Sequence, residues 1–315
     1  MLRVFSDPRC LLHEAPAGFP ECPARLSGVL SALARAGFAG EQPAHHAESE
    51  PAVRALHAPA YLERFRRAAE RGDGLLDSAD NPLSPGTWDA AWGAVSATLH
   101  AADWALGADA GATRRIGFAA VRPPGHHAEA ALAMGFCFFD NAAVAAQYAL
   151  DRGRRRVALF DFDVHHGNGT QHLFEDRADV FYLSTHQYPF YPGSGGGEER
   201  GRGPGAGYTL NVPLPAGSGD ARYGDALTDV ILPALHAYAP DFLILSAGFD
   251  AWQADPLGGM KVSEGGFNAW GRRLGEFARA RSIGILGVLE GGYDLANLGG
   301  LVVAHLRGLS GLGSD

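Results

Sequence analysis

Along the chain, short runs of continuous apolar residues alternate with longer stretches in which apolar positions recur every three or four residues. The first pattern predicts strands covered on both faces and the second predicts amphipathic helices. Strands are expected over Arg3–Ser6, Ile116–Val121, Val157–Phe162, Val180–Ser184, Tyr208–Val212, Phe242–Ser246 and Ile283–Leu289. Helices are expected over Pro23–Arg35, Pro59–Arg71, Thr87–Leu106, Asn141–Asp151, Asp220–His236, Glu264–Arg279 and Leu295–Leu309. The runs VALF, FLIL and IGILGVL lack the polar alternation of a half-exposed strand, so each belongs inside a sheet with helices on both sides. Alternation of the two element types argues for βαβ crossovers. The chain therefore reads as α/β, a single doubly wound, mostly parallel sheet flanked by helices, forming one domain over residues 1–315. The Gly-rich stretch Gly193–Gly207 is read as a mobile surface loop, because motif-like residues on both flanks argue against an interdomain linker.

With 315 residues, of which 46% are hydrophobic and 19% charged, the chain can bury a large core and does not have the composition of a disordered protein. Its formal net charge is -9, and no basic run exceeds Arg154-Arg155-Arg156. That balance argues against nucleic acid and anionic membrane as partners and is compatible with neutral or cationic ones. No apolar run reaches transmembrane length, and the first ten residues lack the apolar stretch of a signal peptide. Cys10, Cys22 and Cys137 form no CxxC pair, which suits a reducing compartment; a cytoplasmic location is expected.

Four predicted strands run into polar, Gly-rich segments: Arg122–Ala128, Asp161–Gly169, Ser246–Gly259 and Leu289–Asp294. In open parallel sheets, ligands bind beyond the carboxyl ends of the strands, so these segments are expected to meet. Asp161, Asp163 and His165 stand at i, i+2 and i+4, on one side of an extended chain. Asp250, after FLILSAGF, is the natural third ligand. Asp163, His165 and Asp250 make an oxygen, nitrogen, oxygen set with open positions, as a catalytic Zn²⁺ or similar divalent ion requires. A lone aspartate there is better read as a helix cap or turn residue, but three converging ligands are not. His126-His127 follows the rigid turn Pro123-Pro124-Gly125, which places two imidazoles at a strand exit as acid–base groups. Tyr293 follows Gly291-Gly292, where bare backbone lets a phenol approach a ligand as an oxyanion donor. His45-His46, His13, His57, His100, His236 and His305 are read as surface residues, and His166 has no assignment.

The segments RPPGHHA, GFCFFDNAA, DFDVHHGNGTQ, YPGSG, SAGFDAWQADPLGGM and LEGGYD occur in this order over positions 122 to 294, preceded by ECPARL at Glu21–Leu26 and SPGTWDAA at Ser84–Ala91. Together they resemble the zinc-dependent histone deacetylase superfamily, nearest its class II and bacterial histone deacetylase-like amidohydrolase branch, over nearly the whole chain. The resemblance implies one Zn²⁺ per chain on Asp163, His165 and Asp250, with His127 as main general base and acid, His126 beside it, and Tyr293 as catalytic tyrosine. It implies that Asp161 bonds His126 and helps hold a structural K⁺, with Ser184 and the backbone at Asp163, His165 and Thr185. A second monovalent site would use carbonyls near Phe174, Arg177, Val180 and Tyr208. Phe136 and Tyr191 match the walls of an acyl-lysine channel, Gly135 its floor, and Asp80 a rim aspartate that binds substrate backbone.

Departures from the family pattern carry information too. Asn168 stands where class I members have aspartate, so His127 is expected to have less support from negative charge. Tyr293 is present where one class II subgroup has histidine, which implies competent deacetylation. Leu257 occupies the place where polyamine-specific relatives can carry a glutamate, which favours a peptide-linked or uncharged substrate. The implied reaction is metal-assisted hydrolysis of acetyl or other short acyl groups from acyl-lysine peptides or proteins, or from acylated small amines. Acetylpolyamine deacetylation is the main alternative. An arginase-type ureohydrolase would need further bridging carboxylates, as in DxHxD, where this chain has HHGNG. A non-catalytic acyl-lysine-binding module would not need every catalytic position filled. A homo-oligomer is compatible with the sequence.

Overall fold

The computed structural model describes residues 1–38, 40–107 and 115–312. Its strands are β1 (Leu2–Phe5), β2 (Gly40–Glu41), β3 (Ile116–Ala119), β4 (Val157–Asp161), β5 (Val180–Gln187), β6 (Thr209–Leu214), β7 (Phe242–Ala247) and β8 (Ile285–Leu289). They form one eight-stranded sheet in the order β2-β1-β3-β8-β7-β4-β5-β6. Every pairing is parallel, so the sheet is all-parallel rather than mostly so. After β3 the chain skips two places to lay down β4, builds outward through β5 and β6, and returns to fill the gap with β7 and β8. The carboxyl ends of β3, β8, β7 and β4 therefore emerge side by side at the point where the winding reverses, where such sheets bind ligands. These are the four strands that run into the polar segments.

The helices are α1 (Pro23–Arg35), α2 (Ser49–Arg54), α3 (Pro59–Arg71), α4 (Thr87–Leu106), α5 (Asn141–Asp151), α6 (Asn168–Phe174), α7 (Asp220–Asp225), α8 (Leu232–Tyr238), α9 (Glu264–Arg281) and α10 (Leu298–Ser310). α4 packs on β1, β3 and β8, and α5 on β4 and β7. Small residues let α4 approach closely: Ala90, Ala94, Ala97, Ala101, Ala102 and Ala105 are all buried. α9 and α10 pack together, with α1 against α10. Phe242, Leu243, Ile244 and Leu245 of β7 have no exposed surface, as an unalternating apolar run requires.

Three elements go beyond the sequence expectations: β2, α2 and α6, each too short for a periodic signal. The helix expected over Asp220–His236 instead contains a π-helical stretch, Ala226–Ile231, between α7 and α8. Pro233 just beyond it has no N–H to donate back to the preceding turn, which accounts for the widened register. The last helix starts at Leu298 rather than Leu295, because Asp294 holds the preceding turn: its Oδ1 accepts from the Ala296 N–H at 3.1 Å and its Oδ2 from the Asn297 amide at 2.7 Å. The Gly193–Gly207 stretch is a surface loop but not a loose one. Glu199 accepts the N–H groups of Gly195 and Gly196 at 2.7 and 2.8 Å, and the carbonyl of Gly195 is 2.9 Å from Nε2 of His186.

A buried ionic staple ties the N-terminal segment to the strand ends. Arg122, just after β3, donates to both oxygens of Glu21 at 2.9 and 2.7 Å and to the carbonyls of Cys10 and His13 at 3.0 and 2.7 Å. Arg25 donates to Glu21 at 3.1 Å and to the carbonyls of Gly292 and Glu290 beyond β8 at 2.6 and 2.5 Å. Burial alone would raise the Glu21 carboxyl, but Arg122 and Arg25 outweigh it and bring it down to about 2. Its stabilisation is thus complete above the ordinary value of 4.5 and is lost as pH falls from there toward about 2. Glu21→Ala leaves two buried guanidinium groups uncompensated, and urea unfolding at neutral pH should show a loss of about 3–5 kcal/mol. A loss under about 1 kcal/mol would mean that the arginines find other partners.

Candidate active site

Asp163 and His165 leave the end of β4, and Asp250 leaves the end of the adjacent β7. Both aspartates are fully buried. Nδ1 of His165 lies 3.1 Å from Oδ1 of Asp163 and 3.2 Å from Oδ2 of Asp250. One imidazole hydrogen cannot serve both oxygens, and Oδ2 of Asp250 is left without a hydrogen-bond partner. The remaining carboxylate oxygens are held by backbone: Asp163 Oδ2 accepts from Gly291 N at 2.8 Å and Asp250 Oδ1 from Val164 N at 2.8 Å. A Cβ at Gly291 would collide with the carboxylates of both Asp250 and Asp163, so only bare backbone fits there. Burial and the charge of Asp163 push the Asp250 carboxyl up. An oxygen, nitrogen, oxygen set with an orphaned carboxylate oxygen fits a divalent metal of the zinc type.

Among the described residues one other group has its potential ligand atoms within 4.8 Å of one another: His46, His100 and Asp103. His46, expected on the surface, is in fact buried. This group is already satisfied. Nε2 of His46 is 3.0 Å from Asp103 Oδ2, the Tyr148 hydroxyl donates to Asp103 Oδ1 at 2.6 Å, and Arg152 stands 3.7 Å from the same carboxylate. A guanidinium already occupies the neighbourhood that a metal would need.

His126 and His127 follow β3, with ring centroids 4.0 Å apart. Nδ1 of His126 is 3.1 Å from Asp161 Oδ2, and Nδ1 of His127 is 2.7 Å from Asn168 Oδ1. Burial disfavours charging His126, yet Asp163 and Asp161 outweigh it and raise its pKa well above the ordinary value. Burial, His126 and His165 hold His127 well below it. The pair is therefore split into one charged and one neutral ring, the neutral one facing the cavity. At Gly135, with φ +55°, a Cβ would collide with the His127 ring.

Tyr293 follows β8. Burial raises its phenol well above the usual value, which keeps it a donor, and the Arg25 guanidinium lies 4.7 Å from its ring centroid. A cavity of about 190 Å³ joins these groups, lined by Asp80, His127, Gly135, Phe136, His165, Tyr191, Leu257 and Tyr293. All five residues expected at the substrate channel are in that lining. Across Leu257 and Tyr293 lies a second depression of about 620 Å³, lined mainly by apolar residues including Pro16, Phe19 and Leu295. A further depression, about 640 Å³ near Arg156, Tyr208 and Tyr238, has neither a carboxylate nor an imidazole in its lining.

The residues expected around monovalent ions sit as follows. Asp161 pairs with Ser184 across β4 and β5, with Thr185 next in the strand. Asp161 Oδ1 accepts from Asp163 N at 3.1 Å, and Ser184 Oγ is 2.8 Å from Nδ1 of His186. Phe174 ends α6 and its carbonyl accepts from Arg177 N at 2.9 Å, Val180 begins β5, and the Tyr208 carbonyl accepts from Tyr182 N at 3.1 Å. A carbonyl oxygen that accepts one hydrogen bond keeps a second lone pair for a cation.

Several supporting residues had no role assigned from the sequence. His166 holds the loop that carries Tyr191, with Nδ1 2.9 Å from Ser194 Oγ. Phe190 stacks on His165 at 5.3 Å. Asp255 accepts from Tyr293 N at 2.6 Å and Leu257 N at 2.9 Å, tying two cavity walls together. Glu290 accepts from Gly125 N at 2.6 Å, its carboxyl pushed up by burial to about 8. His13, His57 and His305, expected on the surface, are buried and bonded to Thr87, the Glu129 carbonyl and the Phe267 carbonyl.

A sequence model described as the histone deacetylase domain matches residues 19–309. The chain is 38% identical to the histone deacetylase-like amidohydrolase of Pseudomonas aeruginosa, over 94% of this chain and 77% of that one. It is 33% identical to the acetylpolyamine amidohydrolase of Mycoplana ramosa, covering 92% of each. The crystal structure of an acetylpolyamine aminohydrolase from Burkholderia pseudomallei superposes with a TM-score of 0.88 at 33% identity, covering 99% of each chain.

Calorimetric titration with Zn²⁺ should find one tight site per chain. Asp250→Asn or Asp163→Asn should weaken it by at least about 100-fold, beyond the range for outer-shell partners, while His46→Ala leaves the stoichiometry unchanged. A second zinc equivalent that disappears with His46→Ala would overturn the assignment.

Proposed function

The chain belongs to the histone deacetylase family, and from that premise we propose that it is a metal-dependent amidohydrolase that removes acetyl or other short acyl groups from lysine side chains of peptides or proteins. One observation carries the reading: the His127 imidazole, the Tyr293 phenol and His165 of the Asp163–His165–Asp250 cluster line the same small cavity. The relatives support deacylation of amines as the reaction class.

Asp163, His165 and Asp250 would hold the ion, with Zn²⁺ the fitting species. When bound, such an ion polarises an acyl oxygen and acidifies a water. The side chains supply the remainder. His127, neutral and donating through Nδ1 to Asn168, keeps its Nε2 free to take the proton of the attacking water and then return it to the departing amine. The Tyr293 hydroxyl donates to the oxygen that becomes negative as the carbonyl carbon turns tetrahedral. His126, charged beside Asp161, acts through its field rather than by transferring a proton. Phe136 and Tyr191 wall the channel and exclude water from the alkyl stem.

Substrate choice follows from the cavity lining. Asp80 is its only carboxylate, Leu257 is apolar, and the adjoining depression around Pro16, Phe19 and Leu295 offers a mainly apolar surface. A polycation gains little from such a rim, whereas a peptide flank can cover it. Acyl-lysine peptides are therefore preferred to acetylpolyamines. The K⁺ role of Asp161 and Ser184 is retained as part of this proposal.

Tyr293→Phe should lower kcat by about 100-fold or more, the scale of a lost oxyanion donor, and near wild-type turnover on an acetyl-lysine peptide would remove that role. His127→Ala should abolish turnover while the metal content is retained; an emptied site would make His127 a ligand. In side-by-side assays, kcat/KM should be highest for acetyl-lysine peptides, and a higher value for acetylated polyamines would reverse the substrate assignment.

A further inference from the structure

The neutrality of Asn168 raises a problem for the proposed base. An aspartate behind His127 accepts the Nδ1 hydrogen through either oxygen, so the ring can take only the tautomer that leaves Nε2 free. An amide has two unlike ends. Turned over, Asn168 would present its NH₂ to Nδ1, stabilise the opposite tautomer and put a hydrogen on Nε2, where a proton must be received.

The surroundings of Asn168 Nδ2 decide the matter. Nδ2 donates to Glu129 Oε1 at 2.6 Å and also approaches the Met134 sulfur at 3.2 Å and the His127 carbonyl at 3.4 Å. All three neighbours are acceptors, and the carboxylate is both the nearest and the strongest. An amide oxygen in place of that NH₂ would face repulsion, so Oδ1 must point at Nδ1 of His127, which it does at 2.7 Å. Glu129 is itself fixed: its N–H donates to the Leu132 carbonyl at 2.9 Å, its carbonyl is 3.0 Å from Nδ1 of His57, and His172 Nδ1 lies 2.8 Å from the same Oε1.

We propose that Glu129 is the positioning residue that locks the Asn168 amide, and through it the tautomer of His127, so that the base always presents a free Nε2 to the cavity. A carboxylate is thus supplied at one remove, two residues past the histidine it governs. The lock rests on the amidohydrolase reading for its kinetic consequence, not for its geometry.

Two measurements test it. In histidine-selective ¹⁵N NMR of the zinc-loaded protein, His127 should carry its hydrogen on Nδ1 alone in the wild type, and Glu129→Ala should bring a population with hydrogen on Nε2. An unchanged tautomer in Glu129→Ala would overturn the lock. Kinetically, Glu129→Ala should reduce kcat by about 10-fold, the lower end for outer-shell partners of a site, with KM changed less than about twofold. In the Asn168→Asp background the same substitution should raise kcat, because the introduced carboxylate accepts from His127 unaided and its second oxygen then faces Glu129 as a like charge. A simple folding defect lowers activity in both backgrounds, and that outcome would also refute the proposal. A wild-type chain inactive on every acyl amine would instead count against the amidohydrolase reading, and the NMR result would still judge the lock.

Discussion

Two carboxylates buried side by side, Asp163 and Asp250, set the terms for everything around them. Their ligand atoms lie within 4.8 Å of one another and of His165, and like charges so close in a low-dielectric interior need a positive group between them or a proton on one of them. His165 meets the demand for Asp163 and leaves one oxygen of Asp250 unmatched. The neighbouring backbone is shaped to the same end: Gly291 and Val164 turn their N–H groups onto the remaining oxygens, and the bare Cα of Gly291 lets both aspartates crowd in. His126 and Asp161 form the next ring of alternating charge, and His127 is kept neutral first by its burial and then by the positive His126 and His165 beside it.

Most of this was legible in the sequence because the chemistry is concentrated at strand ends, where apolar runs stop abruptly and polar motifs begin. VALF followed by Asp161, Asp163 and His165 announces both the strand and its ligand edge. FLIL does the same for Asp250. The pairing of Asp161 with Ser184 needed the fold, yet the family pattern already named both residues. What stayed illegible were contacts between segments distant in sequence. Nothing about Asp255 suggests that it fastens Tyr293 to Leu257, and nothing about Glu21 or Arg25 points to the carbonyls beyond β8. The histidines divided in the same way. His126, His127 and His165 stand in dense motifs, whereas His13, His46, His57 and His305 look isolated along the chain and prove to be buried, because their partners lie tens of residues away.

The Gly-rich stretch after Tyr191 shows why composition misleads about motion. Glycine there supplies turns, but Glu199, His186 and Ser194 fill the polar valences that a free loop would spend on water. With the loop tied down in this way, Tyr191 is held in the lining of the same cavity as Phe136. Preorganisation of this kind shifts the cost of ordering from binding to folding.

The order of the strands has a consequence for how the molecule comes into being. β3 and β4 are made one after the other, yet they are not neighbours; the strands that join them, β7 and β8, are made only after β5 and β6. Until β8 has been synthesised, nothing can join β3 to β4 through the sheet, and Asp163 and His165 are made well before Asp250, their counterpart on β7. Contacts of such long sequence separation form slowly, and exposed parallel edges invite wrong pairing in the interval. The arrangement that gathers four strand ends at one point therefore makes the centre of the sheet its last part to close, and the stage of synthesis at which a chaperone would matter most.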